Sequence, residues 1–178
     1  MTHLPGSLPV LGCSSMLALP TICRRTLLHS TITISTALPN ANVMRRVFAD
    51  AWFYIALLDP RDAGHPKTVK ICQDASITGF VTTHWVLMEV ANMLSSTKAR
   101  AQCAAFMREL ARAPEISVIP ASESLFERGL GLFEERQDKA WSLTDCISFI
   151  VMSDEGVSEA LTGDHHFEQA GFTALLVS

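Results

Sequence analysis

The sequence predicts an α/β domain of three layers, with helices on both faces of a central parallel sheet of four to five strands. Two observations carry that expectation. Short apolar runs alternate along the chain with stretches of helical spacing, as in repeated strand–helix units. The strand-like runs, such as Val47-Phe48-Ala49 and Ala160-Leu161, are continuously apolar, which suits strands covered on both faces. A third observation sets the scale: 178 residues, 48% hydrophobic, with a mean hydropathy of +0.25, form one domain with a sizeable core.

Arg46-Val47-Phe48-Ala49 forms the first strand and breaks at Asp50; Ala51 to Leu58 follows as a helix. Asp59-Pro60-Arg61-Asp62-Ala63-Gly64 is turn chemistry, and His65 to Ala75 is helical, with Pro66 near its start and Val69 and Cys72 on one face. Gly79 to Thr82 is a strand, and Thr83 is an N-cap for a helix through Leu94. Ala99 to Ala113 is a helix stopped by Pro114, and Ile116 to Ile119 a strand between Pro114 and Pro120. Helices over Ser122 to Arg136 and Ser142 to Met152 and strands over Val157 to Thr162 and Ala174 to Val177 complete the set.

Residues 1–43 differ in character. They contain no acid, and Arg24 and Arg25 are their only Lys or Arg, placed after the apolar Leu17-Ala18-Leu19-Pro20, the wrong order for a secretory signal. They read as a disordered extension, a transit peptide, or upstream sequence from a start set too early, with Met44 as a natural beginning. The remaining 135 residues carry 12 basic and 18 acidic side chains, a charge of −6. That balance argues against a protein that coats nucleic acid through net positive charge. No apolar run approaches the roughly 18 residues of a membrane span. Five cysteines without C-x-x-C spacing do not form a disulfide framework, which points to a reducing cytoplasm.

The chemistry resides in four carboxylates. Asp50 and Asp164 follow strands, at the end of an open parallel sheet where ligand sites form. Glu89, with Trp85, Val86 and Met93 as its helical neighbours, is expected on a buried face. Asp145 borders the apolar Cys146 to Val151 near a helix start. Residues 140–178 hold six acids and no Lys or Arg, and residues 71–97 have no Lys or Arg either, so local salt bridges cannot satisfy these groups. Bound divalent cations such as Mg²⁺ can, and would activate water for in-line attack on a phosphodiester.

Each acid also has a structural reading. Asp50 and Asp164 can cap helices, and Ser142 with Asp145 has the form of a capping box. Glu89, mid-helix, has no capping explanation; its structural alternative is satisfaction by an Arg or a water. His165-His166 with Glu168 lacks the H-E-x-x-H spacing, and solvent exposure or RNA contact is favoured there over zinc. Lys98 and Arg100 are candidate phosphate contacts or a solvated helix start, Ser95-Ser96-Thr97 reads as capping, and Cys72, Cys103 and Cys146 as small core fillers. A phosphatase needs a second Asp where Trp52 stands, and a receiver domain needs an adjacent acidic pair and a late Lys; both are absent, as are P-loop, nucleophile-elbow and dinucleotide motifs.

Phe48-Ala49-Asp50-Ala51-Trp52, Thr83-His84-Trp85-Val86-Leu87-Met88-Glu89-Val90-Ala91-Asn92, Trp141-Ser142-Leu143-Thr144-Asp145 and Leu161-Thr162-Gly163-Asp164-His165-His166-Phe167 together resemble the acidic motifs of PIN-domain proteins, VapC-type toxins above all. The likeness spans 44–178, which it marks as a PIN domain. It implies that Asp50, Glu89, Asp145 and Asp164 are catalytic metal-binding acids, with Asn92 and Thr144 supporting them. It further implies an endoribonuclease dependent on Mg²⁺, or Mn²⁺ in its place: the toxin of a type II toxin–antitoxin pair, an RNA substrate, a small cognate antitoxin and a homodimer. A solitary RNA-processing nuclease and a non-catalytic PIN-like RNA- or protein-binding module are the alternatives. Ala51 departs from the Thr or Ser that many relatives carry after the first Asp.

Overall fold

The computed structural model describes residues 45–177; the start at Met44 and the readings of residues 1–43 lie outside the described residues. Five parallel strands form one sheet, β1 (Arg45–Ala49), β2 (Ile77–Thr83), β3 (Ile116–Ile119), β4 (Glu159–Leu161) and β5 (Thr173–Ala174), in the order β3-β2-β1-β4-β5. The helices are α1 (Ala51–Leu58), α2 (His65–Ile71), α3 (His84–Met93), α4 (Thr97–Leu110), α5 (Glu123–Glu135), α6 (Leu143–Asp154) and α7 (His166–Gln169).

Strand order explains where a site can form. From β1 the chain steps outward through β2 to β3, then returns across the sheet to β4 on the other side of β1. Right-handed crossovers therefore put α1 to α4 on one face and α5 to α7 on the other, the three-layer arrangement expected from the sequence. The reversal opens a crevice between the carboxyl ends of β1 and β4. Val47, Phe48 and Ala49 in central β1 are wholly buried, as a strand covered on both faces requires. Phe167, also wholly buried, meets Phe48 and Phe149, and Trp141 packs edge-on against Phe149; this aromatic cluster holds α7 against the start of α6.

The predicted elements all exist, with revised ends. Helix α2 stops at Ile71, because the Asp74 carboxylate accepts from the Ser76 N–H and turns the chain toward β2. Strand β4 begins only at Glu159. Gly156, at φ 64°, ends α6 in a Schellman motif in which the Val157 N–H donates to the Met152 carbonyl at 2.8 Å, tying Val157 to the helix. Regular pairing in β5 covers two residues, although Leu175 and Leu176 still donate to Ala160 and Thr162. Ser96 occupies the N-cap of α4 without a side-chain capping bond. Cys72, Cys103 and Cys146 are buried, as expected of core fillers.

Candidate active site

Asp50 is the first residue beyond β1 and stands at the N-cap position of α1, yet its side chain makes no capping bond. Its Oδ2 accepts instead from the Thr162 hydroxyl at 2.9 Å, across the crevice at the end of β4. The same Thr162 oxygen accepts from the Asp164 N–H at 3.0 Å, so one wholly buried hydroxyl fixes both sides of the switch point. Asp50 is itself buried, and desolvation lifts its carboxyl to about 7. The Thr162 hydrogen bond and the Ala51 N–H oppose that rise, and the charges of Asp145 and Glu89 reinforce it.

The remaining acids arrive from three elements. Strand β2 runs directly into α3, where the Thr83 hydroxyl accepts from the Val86 N–H as the predicted cap. Val86, Leu87 and Val90 then take the buried stripe, which leaves Glu89 exposed, contrary to the expected burial. It lies at the lip of the cleft, and its carboxyl is raised by desolvation and by Asp145 and Asp164. Asp145 and Ser142 do form the capping box: the Asp145 N–H donates to Ser142 Oγ, and Asp145 Oδ2 accepts from the Ser142 N–H at 2.8 Å. Asp164 Oδ1 accepts from the His166 N–H at 2.9 Å.

Cation supply separates these acids from the rest. Arginines from elsewhere do reach other C-terminal acids, contrary to the local count: Arg45 pairs with Glu159, Arg46 with Glu155 and Arg128 with Asp154. Among the described side chains, none of Asp50, Glu89, Asp145 and Asp164 has a Lys or Arg partner. Asp145 and Asp164 face only histidine, with His166 Nδ1 at 3.5 Å and 3.3 Å from their Oδ2 atoms. Of the two histidines, His165 is exposed as expected and His166, the first residue of α7, is not. Their centroids are 4.6 Å apart; His165 is exposed, while the His166 side chain is only 19% exposed and turned toward the acids.

Thr162 is thus a site residue that the sequence did not single out, with its hydroxyl two positions before Asp164 at a strand end as the available signal, and His166, expected at the surface or against RNA, turns toward the acids instead. Trp52 supports the same loop. A Cβ on Gly163 would lie 2.8 Å from its indole, so only glycine allows this close approach between Thr162 and Asp164. Asn92 is exposed one turn beyond Glu89, and Thr144 is half-buried beside Asp145; neither enters the hydrogen bonds that fix the other acids. Arg100 donates to the Ser95 carbonyl at 2.9 Å, which fits the structural reading of that helix start.

The geometry defines a PIN-like α/β fold with an acidic crevice at its switch point. Among solved structures, the chain is similar to VapC20 of Mycobacterium tuberculosis, a toxin that cleaves the sarcin–ricin loop, with a TM-score of 0.67 and 23% identity over 73% of this chain and 98% of that one. No family model and no curated protein matches the chain. No helix among the described residues is long and apolar enough to cross a membrane.

Proposed function

We propose that the chain is a metal-dependent endoribonuclease of the VapC type, the cytoplasmic toxin of a toxin–antitoxin pair. One observation carries the reading: four acids from separate elements act on one another electrostatically around the switch-point crevice, without a Lys or Arg partner among the described side chains. The fold shared with an RNA-cleaving toxin supports it.

The donor set fits Mg²⁺, with Mn²⁺ as a substitute: all four residues offer hard carboxylate oxygens, and a cation would offset the burial cost that raises Asp50. Asp50, Glu89, Asp145 and Asp164 would hold the ion, which when bound supplies an activated water and neutralises charge on the phosphodiester. The chain's own contribution is preorganisation. The Thr162 hydroxyl, the Ser142 N–H and the His166 N–H each fix one carboxylate oxygen before substrate arrives, so little reorganisation remains at the moment of reaction. The same acids would attract the basic side chains of a small antitoxin, and a homodimer is the expected assembly.

The test is cleavage of a mixed structured RNA pool with Mg²⁺ or Mn²⁺, beside EDTA and Asp50→Asn. Cleavage that needs both the metal and Asp50 is the expected result. A folded, inhibitor-free protein that cuts no RNA would favour the binding-module alternative, and undiminished cleavage by Asp50→Asn would refute the site.

A further inference from the structure

The four acids account for Asp164 but not for the two imidazoles beside it. His165 Nδ1 lies 3.5 Å from Asp164 Oδ1, and His166 Nδ1 lies 3.3 Å from Asp164 Oδ2 and 3.5 Å from Asp145 Oδ2. One ligand atom from each of Asp164, His165 and His166 falls within 4.8 Å of the other two. The Nδ1 atom of His166 is shielded from solvent and makes no hydrogen bond, although it faces two carboxylates. A ring nitrogen that is buried, surrounded by anionic oxygens and unused as a hydrogen-bonding atom has the surroundings of a metal ligand.

The spacing supports this. A tetrahedral cation with bonds of about 2.0–2.1 Å has ligand-to-ligand edges of about 3.3–3.4 Å. The two edges that share His166 Nδ1, 3.3 Å to Asp164 Oδ2 and 3.5 Å to Asp145 Oδ2, are already close to that value, and His165 Nδ1 stands 3.5 Å from the other Asp164 oxygen. One ligand atom from each of Asp164, His165 and His166 already lies within 4.8 Å of the other two, and the His165 side chain, 67% exposed, has room to turn toward the ion. Mixed imidazole and carboxylate ligation suits zinc-type ions, whereas Mg²⁺ prefers oxygen ligands and retains water.

We propose that Asp164, His165 and His166, with Asp145, form a binding site for a first-row transition cation of the Zn²⁺ type. Because two of its ligands are also acids of the crevice, Zn²⁺ there competes with Mg²⁺ and inhibits RNA cleavage; this last consequence rests on the nuclease reading. The adjacent histidines, for which exposure or RNA contact was expected, thereby acquire a specific role.

The experiment titrates Zn²⁺ by calorimetry into the metal-free full chain, and Co²⁺ with its visible spectrum, for the wild type, His165→Ala and His166→Gln. His165 is exposed, so its removal leaves the core untouched; circular dichroism confirms that both variants fold. The expected result is a Zn²⁺ component at least about tenfold weaker in each variant and shifted to weaker affinity by excess Mg²⁺. A Co²⁺ band without sulfur charge transfer, lost in both variants, would separate the site from cysteine. Equal Zn²⁺ binding in all three proteins would overturn the proposal and leave His166 as a packing neighbour of the two acids. The two readings fail separately. His-dependent Zn²⁺ binding by a protein that cuts no RNA would sink the nuclease, while Mg²⁺-supported cleavage indifferent to His165→Ala and to Zn²⁺ would sink this site.

Discussion

Replacing Asp50 by Asn should stabilise the metal-free protein while abolishing its cleavage of RNA. In the fold the Asp50 carboxyl is raised from 3.8 to about 7, mainly by burial. The folded state therefore holds a proton that the unfolded state has released between those values, and stability falls as pH rises across that window. The contribution is fully present below about pH 4 and lost above 7. A gap of about three units at about 1.4 kcal/mol each means that ionised Asp50 costs about 4 kcal/mol at pH 8. Asparagine has nearly the same shape, its oxygen still accepts from Thr162, and it carries no charge. For a domain of this size the variant should melt about 10 °C higher than the wild type at pH 8 in EDTA, with little difference at pH 4. Thermal melts followed by circular dichroism give both numbers. Added Mg²⁺ should raise the wild type and leave the variant unmoved. A variant no more stable than the wild type at pH 8, or a difference independent of pH, would refute the argument from burial.

Thr162→Val removes a buried hydroxyl with two partners at constant shape; a stability loss of about 1–3 kcal/mol in urea melts and a marked fall in cleavage rate are expected. Gly163→Ala drives a methyl group into Trp52 and should cost about 1–3 kcal/mol, with a change in tryptophan fluorescence that an exposed control such as Gly131→Ala does not produce. Asp145→Asn keeps an acceptor in the capping box and should lose at most about 1 kcal/mol while losing cleavage altogether, so a collapse of the fold would assign Asp145 a structural role. A chain beginning at Met44 is expected to melt with the full-length chain in differential scanning calorimetry.

What the sequence revealed and what it hid divide along physical lines. The strand ends that place Asp50 and Asp164 were legible because a buried parallel strand is a continuous apolar run. Thr83 was legible as a cap because capping is local. Thr162 was not, because its partner Asp50 lies 112 residues away and nothing local marks a hydroxyl that spans the crevice. Glu89 was misplaced for a related reason: its helical neighbours are apolar, but the direct passage from β2 into α3 selects Val86, Leu87 and Val90 for the interior. The Arg45–Glu159 and Arg46–Glu155 pairs also join distant segments, which is why a count of cations within residues 140–178 overstated how many acids lack partners. His166 turned inward because Phe167 anchors a single helical turn in the core, a constraint visible only once that aromatic cluster is assembled.

The bond between Asp50 and Thr162 also bears on the order in which the chain is made. A ribosome that has completed β1, α3 and the start of α6 has already synthesised three of the four acids, yet Asp50 still lacks the hydroxyl that holds it. The crevice has only one wall, because β4 has not been inserted beside β1. A chain broken anywhere before Thr162 therefore lacks both Asp164 and the hydroxyl that holds Asp50. The Asp50–Thr162 bond closes only once β4 and the residues that follow it have left the ribosome and β4 has taken its place beside β1.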